Sequence, residues 1–138
     1  SLMNTLKLTV RVGVGVIILN KNKVLLGKRI SSHNKNTWQS TGGHLEFGES
    51  FEACAKREIM EEVGIQVKNV KLITATNDIF PKENKHYVTV FMGCEYKSGI
   101  PKPLEPTKCS EWRWFERNKL PKNLFLPYDK ILALIRTS

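Results

Sequence analysis

Apolar and polar residues alternate along the start of the chain. Leu6, Leu8, Val10, Val12, Val14, Val16 and Ile18 fall on one face of an extended segment. Period two over that length predicts a strand. Asn20-Lys21-Asn22-Lys23 is a polar turn, and Val24-Leu25-Leu26-Gly27-Lys28-Arg29 predicts a returning strand. Ser31 to Asn36 is a polar loop, and Gly42-Gly43 is expected to break the chain before the next element. The period then changes. Phe51, Ala55, Ile59 and Val63 recur every fourth residue, which predicts a helix with one buried stripe. Ser50 is its expected N-cap, Glu52 sits in the first turn, and Gly64 follows its end. Two more strands are predicted, Val67 to Phe80 and His86 to Tyr96, joined by Pro81-Lys82-Glu83-Asn84-Lys85. Ser98 to Ser110 holds three prolines and a glycine and reads as a loop. Trp112 to Phe115 reads as a short strand and Tyr128 to Arg136 as a C-terminal helix. Strands interleaved with helices predict an α/β (α+β) domain built on a mixed sheet.

Length and composition narrow the class. The 138 residues suit one domain with a sizeable core. Ser1-Leu2 ahead of Met3 reads as a cloning remnant, so the expected domain spans residues 3–138. No apolar run approaches the roughly 18 residues of a membrane span, and no signal-peptide pattern opens the chain. Cys54, Cys94 and Cys109 are odd in number and widely spaced, which fits a reducing, cytoplasmic setting better than a disulfide framework. The net charge of +9 has two readings. One is a solvated lysine-rich surface; the other is a polyanionic ligand such as a nucleotide, a diphosphate or nucleic acid.

The chemistry concentrates between Gly43 and Ile65. Glu58, Glu61 and Glu62 stand at i, i+3 and i+4, within a sector of about 100° on the predicted helix. Like charges so placed repel, and something must offset them. Carboxylate oxygens are hard ligands suited to Mg²⁺ or Mn²⁺, and Arg57 is placed to hold a carboxylate in a two-pronged pair. A solvated acidic face is the plain alternative.

The full spacing decides between them. It reads Gly43, five residues, Glu49, seven residues, then Arg57-Glu58-Ile59-Met60-Glu61-Glu62-Val63-Gly64-Ile65. This matches the Nudix box, and the chain resembles the Nudix (MutT-like) hydrolases. Gly42 to Ser50, Asn77 to Phe80, His86-Tyr87-Val88-Thr89 and Glu111-Trp112-Arg113-Trp114 further resemble the small 8-oxo-dGTP-type nucleoside triphosphate diphosphatases. The resemblance implies the Nudix fold, a mixed sheet between helices. It also implies Mg²⁺-dependent cleavage of a nucleoside triphosphate to monophosphate and pyrophosphate, with cleansing of oxidised purine nucleotides as the role. Glu58, Glu61, Glu62 and the Gly42 carbonyl would hold the metal, and Glu58 or Glu61 would deprotonate the attacking water. Arg57 would orient the carboxylates. Gly43, Glu49 and Gly64 would brace the loop and the helix.

Lys28 and Arg29 are expected phosphate contacts or simply solvated cations. Where the group carries Leu-Pro before the paired glycines, this chain has Ser40-Thr41, so Ser40 is expected to line the base pocket and shift base preference. Ser110 stands where the group tends to carry a glutamate, with Glu111 one residue later. Trp112 and Trp114 are expected to point to opposite faces, one stacking on the base and the other in the core. His33, His44 and His86 lack metal-ligand spacing and are expected in loops or hydrogen bonds, and Gly13-Val14-Gly15 reads as strand glycines rather than a dinucleotide fingerprint. The expected partner is a nucleotide or another diphosphate-containing small molecule rather than nucleic acid or membrane, and a homodimer is expected by analogy. The alternatives are ADP-ribose, nucleotide-sugar or prenyl-diphosphate hydrolysis, RNA-end pyrophosphohydrolysis, and a non-catalytic nucleotide sensor.

Overall fold

The computed structural model describes residues 8–30, 35–125 and 131–136. Leu6, His33, the Ser1-Leu2 pair and the first part of the predicted C-terminal helix lie outside them.

Strand β1 (Val10–Asn20) is the spine. It runs parallel to β6 (Lys85–Ser98), from the Val10–His86 pair to Leu19–Glu95. A tight turn at Lys21-Asn22, with Lys21 at φ 57°, leads into β2 (Lys23–Arg29). The two strands stay paired only at Leu19–Val24 and Asn20–Lys23, then diverge. Two short strands occupy the opening. β3 (Trp38–Gln39) pairs with β2, and β4 (Thr41–His44) pairs with β1 from Gly13–His44 to Val16–Thr41. The glycine pair Gly42-Gly43 predicts a break, whereas both lie inside β4. A side chain at Gly42 would strike the Val14 carbonyl, so glycine here permits close pairing rather than ending it.

Helix α1 (Phe51–Glu62) follows the site loop. Ser50 caps it by accepting the Ala53 amide at 3.0 Å, and Gly64 lies beyond its end at φ 76°. Ala55, Ile59 and Val63 form the buried stripe with Cys54. Phe51, expected in that stripe, is 39% exposed at the first position of the helix. Strand β5 (Gln66–Phe80) is the sheet edge beside β6, and a 3₁₀ turn at Pro81–Glu83 joins the two. Residues 99–108 form the loop; Ser98 still belongs to β6, and Cys109 and Ser110 already belong to β7 (Cys109–Glu116). β7 pairs with β2, and helix α2 spans Leu132–Arg136.

The mixed sheet is covered on both faces. Val14, Val16, Ile18, Leu25, Val90 and Met92 pack against Cys54, Ala55, Ile59 and Val63 of α1. Ile17, Val24, Leu26, Trp38 and Phe91 pack against Ile131 and Ile135 at α2. The N-terminal alternation therefore holds over Val14 to Ile18. Leu8 and Val10 are exposed instead; Leu8 precedes the strand and Val10 opens it. No described helix is long and apolar enough to cross a membrane.

Candidate active site

Arg57 is the hub of the carboxylates. Its Nε donates to Glu49 Oε2 at 2.7 Å and its Nη2 to Glu49 Oε1 at 3.0 Å. Nη1 donates to Glu58 Oε1 at 2.8 Å and reaches Glu61 Oε1 at 3.4 Å, while Nη2 also meets the His44 carbonyl at 3.2 Å. One guanidinium thus offsets the repulsion that the helix spacing creates. These bonds, with the Glu46 amide donating at 3.0 Å, hold the Glu49 carboxyl down at about 2. The same contacts push the Arg57 guanidinium up.

Glu58 lies directly over Gly43, where any Cβ would fall 2.3 Å from its Oε1. Burial raises the Glu58 carboxyl. Glu62 points inward and is 7% exposed. Its Oε1 accepts the Thr41 hydroxyl at 2.7 Å and the Gly42 amide at 2.9 Å. Burial outweighs those bonds and pushes its carboxyl up to about 7. Glu61 is exposed on the helix surface. Among the described residues no group of three or more His, Cys, Asp or Glu side chains is already drawn together as a metal cage. The donors at hand are carboxylate and carbonyl oxygens, and that chemistry fits a hard divalent cation.

A further carboxylate comes from the loop of residues 99–108. Glu105 is near enough that its charge raises both Glu58 and Glu62. The loop is pinned to the helix end by the Lys102 amide on Val63 O at 3.0 Å and the Leu104 amide on Glu62 O at 3.2 Å. Glu105 also meets Lys108 Nζ at 3.4 Å, and Glu111 pairs with Arg113 at 3.0 Å. Nothing in the sequence distinguished Glu105, because its position depends on how that loop folds back.

Across β4 from the carboxylates lies a cleft of about 340 Å³. Ser40, Thr41, Gly42, Gly43 and His44 form one wall, and Gly13, Gly15, Tyr87, Thr89 and Phe91 form another. Gly15 has no side chain because the Phe91 ring fills that space. The cleft shares Arg29, Tyr87, Thr89 and Phe125 with a second lobe of about 530 Å³, which Asp78 and Phe80 also line. Asp78 is 2% exposed and accepts the Thr76 hydroxyl at 2.7 Å. Arg29 stacks 4.5 Å from the Phe125 ring centre and donates to Gln39. Asp78 and Tyr87 fall in segments that carry the resemblance but were assigned no role there, and Gln39 and Phe125 carry no sequence signal; only the fold brings the four together.

Of the two expected phosphate contacts, Arg29 lines the cleft and Lys28 lines neither lobe. A shift in the β2–β7 register between Gly27 and Arg29 breaks the strand alternation there. Ser40 lines the cleft. The tryptophans do not. Trp112 and Trp114 are two residues apart on β7, so they share a face, and both pack against the α1 side of the core. The Trp112 ring lies on Gly27, and Trp114 meets Tyr96 edge-on at 5.6 Å. His44 and His86 both form hydrogen bonds, to Tyr87 and Asn77, but from strands rather than loops.

A mixed sheet between helices, with an arginine-tied carboxylate helix on one side of a glycine strand and a cleft on the other, defines a Nudix-type hydrolase fold. The chain belongs to the NUDIX family, whose domain matches residues 9–135. It is 35% identical to the RNA pyrophosphohydrolase of Pelagibacter ubique, over 82% of this chain and 80% of that protein. It is 32% identical to the NAD-capped RNA hydrolase NudC of Vibrio atlanticus over 77% of this chain, which is 37% of that longer protein. The crystal structure of the MutT NUDIX hydrolase from Burkholderia pseudomallei superposes with a TM-score of 0.84 at 29% identity, covering 91% of this chain and 97% of that one. The protein is thus an enzyme of the Nudix pyrophosphohydrolase class.

Proposed function

We propose that the protein hydrolyses a nucleoside triphosphate to nucleoside monophosphate and pyrophosphate with Mg²⁺, oxidised purine nucleotides being among its substrates. The observation that carries this is β4. One four-residue strand presents Gly43 to Glu58, and Thr41 and Gly42 to Glu62, while lining the cleft that would hold the nucleoside. Base and triphosphate would then lie across a single backbone. Tyr87 and Phe125 offer apolar faces to the base, and Ser40 offers a hydroxyl to its edge. Arg29 supplies positive charge at the join of the two lobes.

Glu58, Glu61, Glu62 and the Gly42 carbonyl would hold the cation. Bound there, it would lower the pKa of water and neutralise charge building on the phosphate oxygens. Glu58 or Glu61 would take the proton of the attacking water. The water oxygen bonds to phosphorus as the bridging bond between the α- and β-phosphates breaks, and the bridging oxygen keeps the electron pair. Arg57 keeps both candidate bases in place. Three buried free cysteines suit a reducing, cytoplasmic setting.

The name of the Pelagibacter relative supports a second reading, in which the same bond is cleaved at the 5′ end of an RNA. Hydrolysis of a panel of nucleotides and diphosphates with Mg²⁺, followed by phosphorus NMR, tests the proposal. Pyrophosphate and monophosphate are the expected products. Stepwise release of orthophosphate through the diphosphate would rule it out.

A further inference from the structure

Arg57 ties down Glu49, Glu58 and Glu61, and among the described residues no cation pairs with Glu62. Neutral donors hold Glu62 instead. The Thr41 hydroxyl and the Gly42 amide both donate to its Oε1, at 2.7 and 2.9 Å. A carboxylate oxygen has about two lone-pair directions, so Oε1 is filled. No described residue donates to Oε2. The donors are rigid. Thr41 is 1% exposed, and its backbone is registered against Val16 of β1. The Glu62 backbone is pinned in turn by the Leu104 amide on its carbonyl at 3.2 Å. A proline at position 41, as in the group that the sequence resembles, could not supply the hydroxyl.

We propose that Thr41 is a positioning residue that sets the metal preference: by helping to fill Glu62 Oε1 it leaves Oε2 as the single oxygen that Glu62 offers a cation. The proposal rests on the metal reading above and gives a role to a residue that the reading leaves idle. Mg²⁺ takes a small, near-octahedral shell, which one oxygen from a carboxylate suits. Ca²⁺ is larger and accepts both oxygens of one carboxylate. With Oε1 filled, the two-oxygen grip is closed, and the site favours the smaller ion. Neutral donors suit this task, because they fix the side chain without cancelling its charge as an arginine would. Gly42 couples the two sides, since its amide holds Oε1 and its carbonyl is a proposed ligand. Loss of the Thr41 hydroxyl opens one lone-pair direction on Oε1 and frees the carboxylate to turn.

The test is Mn²⁺ binding by electron paramagnetic resonance, with Mg²⁺ and Ca²⁺ as competitors, at alkaline pH where protons do not compete. Thr41→Val keeps the volume and loses the hydroxyl. Thr41→Ser keeps the hydroxyl and loses a methyl, and Thr41→Ala loses both. Thr41→Val and Thr41→Ala are expected to weaken Mg²⁺ binding about tenfold, as losing a partner that orients a ligand does. Ca²⁺ binding should weaken less, so the ratio of Ca²⁺ to Mg²⁺ affinity rises. Thr41→Ser should bind as wild type. If Thr41→Val does not fold, the comparison of Thr41→Ser with Thr41→Ala still isolates the hydroxyl. A packing role predicts the reverse order, with Thr41→Val binding better than Thr41→Ser, and overturns the proposal. An unchanged Ca²⁺ to Mg²⁺ ratio in Thr41→Val and Thr41→Ala also overturns it. Glu62→Gln separates the proposal from the reading beneath it, and is expected to weaken all three ions. If it does so while every Thr41 variant binds as wild type, the positioning role falls and the metal reading stands. If Glu62→Gln binds Mn²⁺ as tightly as wild type, Glu62 is no ligand and both fall.

Discussion

Thr41 and Glu62 are joined side chain to side chain across the site, the hydroxyl donating to the carboxylate at 2.7 Å in a buried setting. The Gly42 amide completes the arrangement at 2.9 Å. Burial nonetheless pushes the Glu62 carboxyl up from 4.5 to about 7. The folded state therefore binds a proton that the unfolded chain releases between those values. Stability from this group is fully present below pH 4.5 and is lost as pH rises through about 7. The expected loss in metal-free protein is about 3 kcal/mol. Thermal unfolding with chelator from pH 4.5 to 8 measures it. Glu62→Gln should flatten the profile, and Mg²⁺ should restore stability at the alkaline end.

Arg57 makes a two-pronged bond to Glu49 while touching Glu58 and Glu61. Arg57→Lys keeps the charge and loses the fork. The expected cost is about 1–3 kcal/mol of stability, with at least about a tenfold drop in kcat because two carboxylates lose their support. The depressed Glu49 carboxyl gives the opposite pH limb to Glu62. Its contribution is present above pH 4.5 and lost as pH falls through about 2. Acid unfolding of Glu49→Gln beside wild type should show that limb removed.

Activity should require Mg²⁺ or Mn²⁺ and vanish with chelator. Glu61→Gln with Glu62→Gln should cut turnover at least about a hundredfold. The fold should persist, because removing like charges from one helical face relieves repulsion. Glu105→Gln should weaken metal binding, seen as a higher Mg²⁺ concentration for half-maximal rate. Undiminished hydrolysis by the double variant would remove the carboxylates from the mechanism.

The core placement of the tryptophans changes what their loss should do. Trp114→Ala should destabilise the fold by about 3 kcal/mol without altering KM for a nucleotide. Tyr87→Ala, in the cleft wall, should raise KM about tenfold with little effect on unfolding. Ser40→Leu adds apolar surface in the cleft and should lower KM for purine triphosphates about tenfold. Steady-state kinetics alongside thermal unfolding separates these outcomes.

Local signals were legible wherever chemistry and backbone conformation coincide in sequence. Ser50, Gly64 and the spaced carboxylates occupy the expected positions because capping and helix periodicity are short-range. Gly42-Gly43 misled because a glycine pair reads as a break, while here it lets β4 lie tight against β1 and Glu58. The tryptophan expectation failed on strand geometry itself, since residues two apart share a face. Glu105 and Phe125 were invisible, and Asp78 had no assigned role, because their neighbours come from distant segments. Arg29 reaches the cleft at an irregular pairing, and that irregularity has no sequence mark.

The long edge strand β5 has one further consequence, for the protein's colloidal behaviour. Leu72 and Ile79 are both 58% exposed along an edge that no other named strand covers. Such a flank could template stacking of misfolded neighbours into fibres. Its pairing with β6 slips at three places, between Gln66 and Val67, Lys68 and Lys71, and Leu72 and Thr74. Those slips spoil the straight repeat that a growing fibril copies, and Lys68 and Lys71 add charge that would be stacked on itself. Replacing these lysines with valine would leave the fold in place and shorten the shelf life of concentrated solutions.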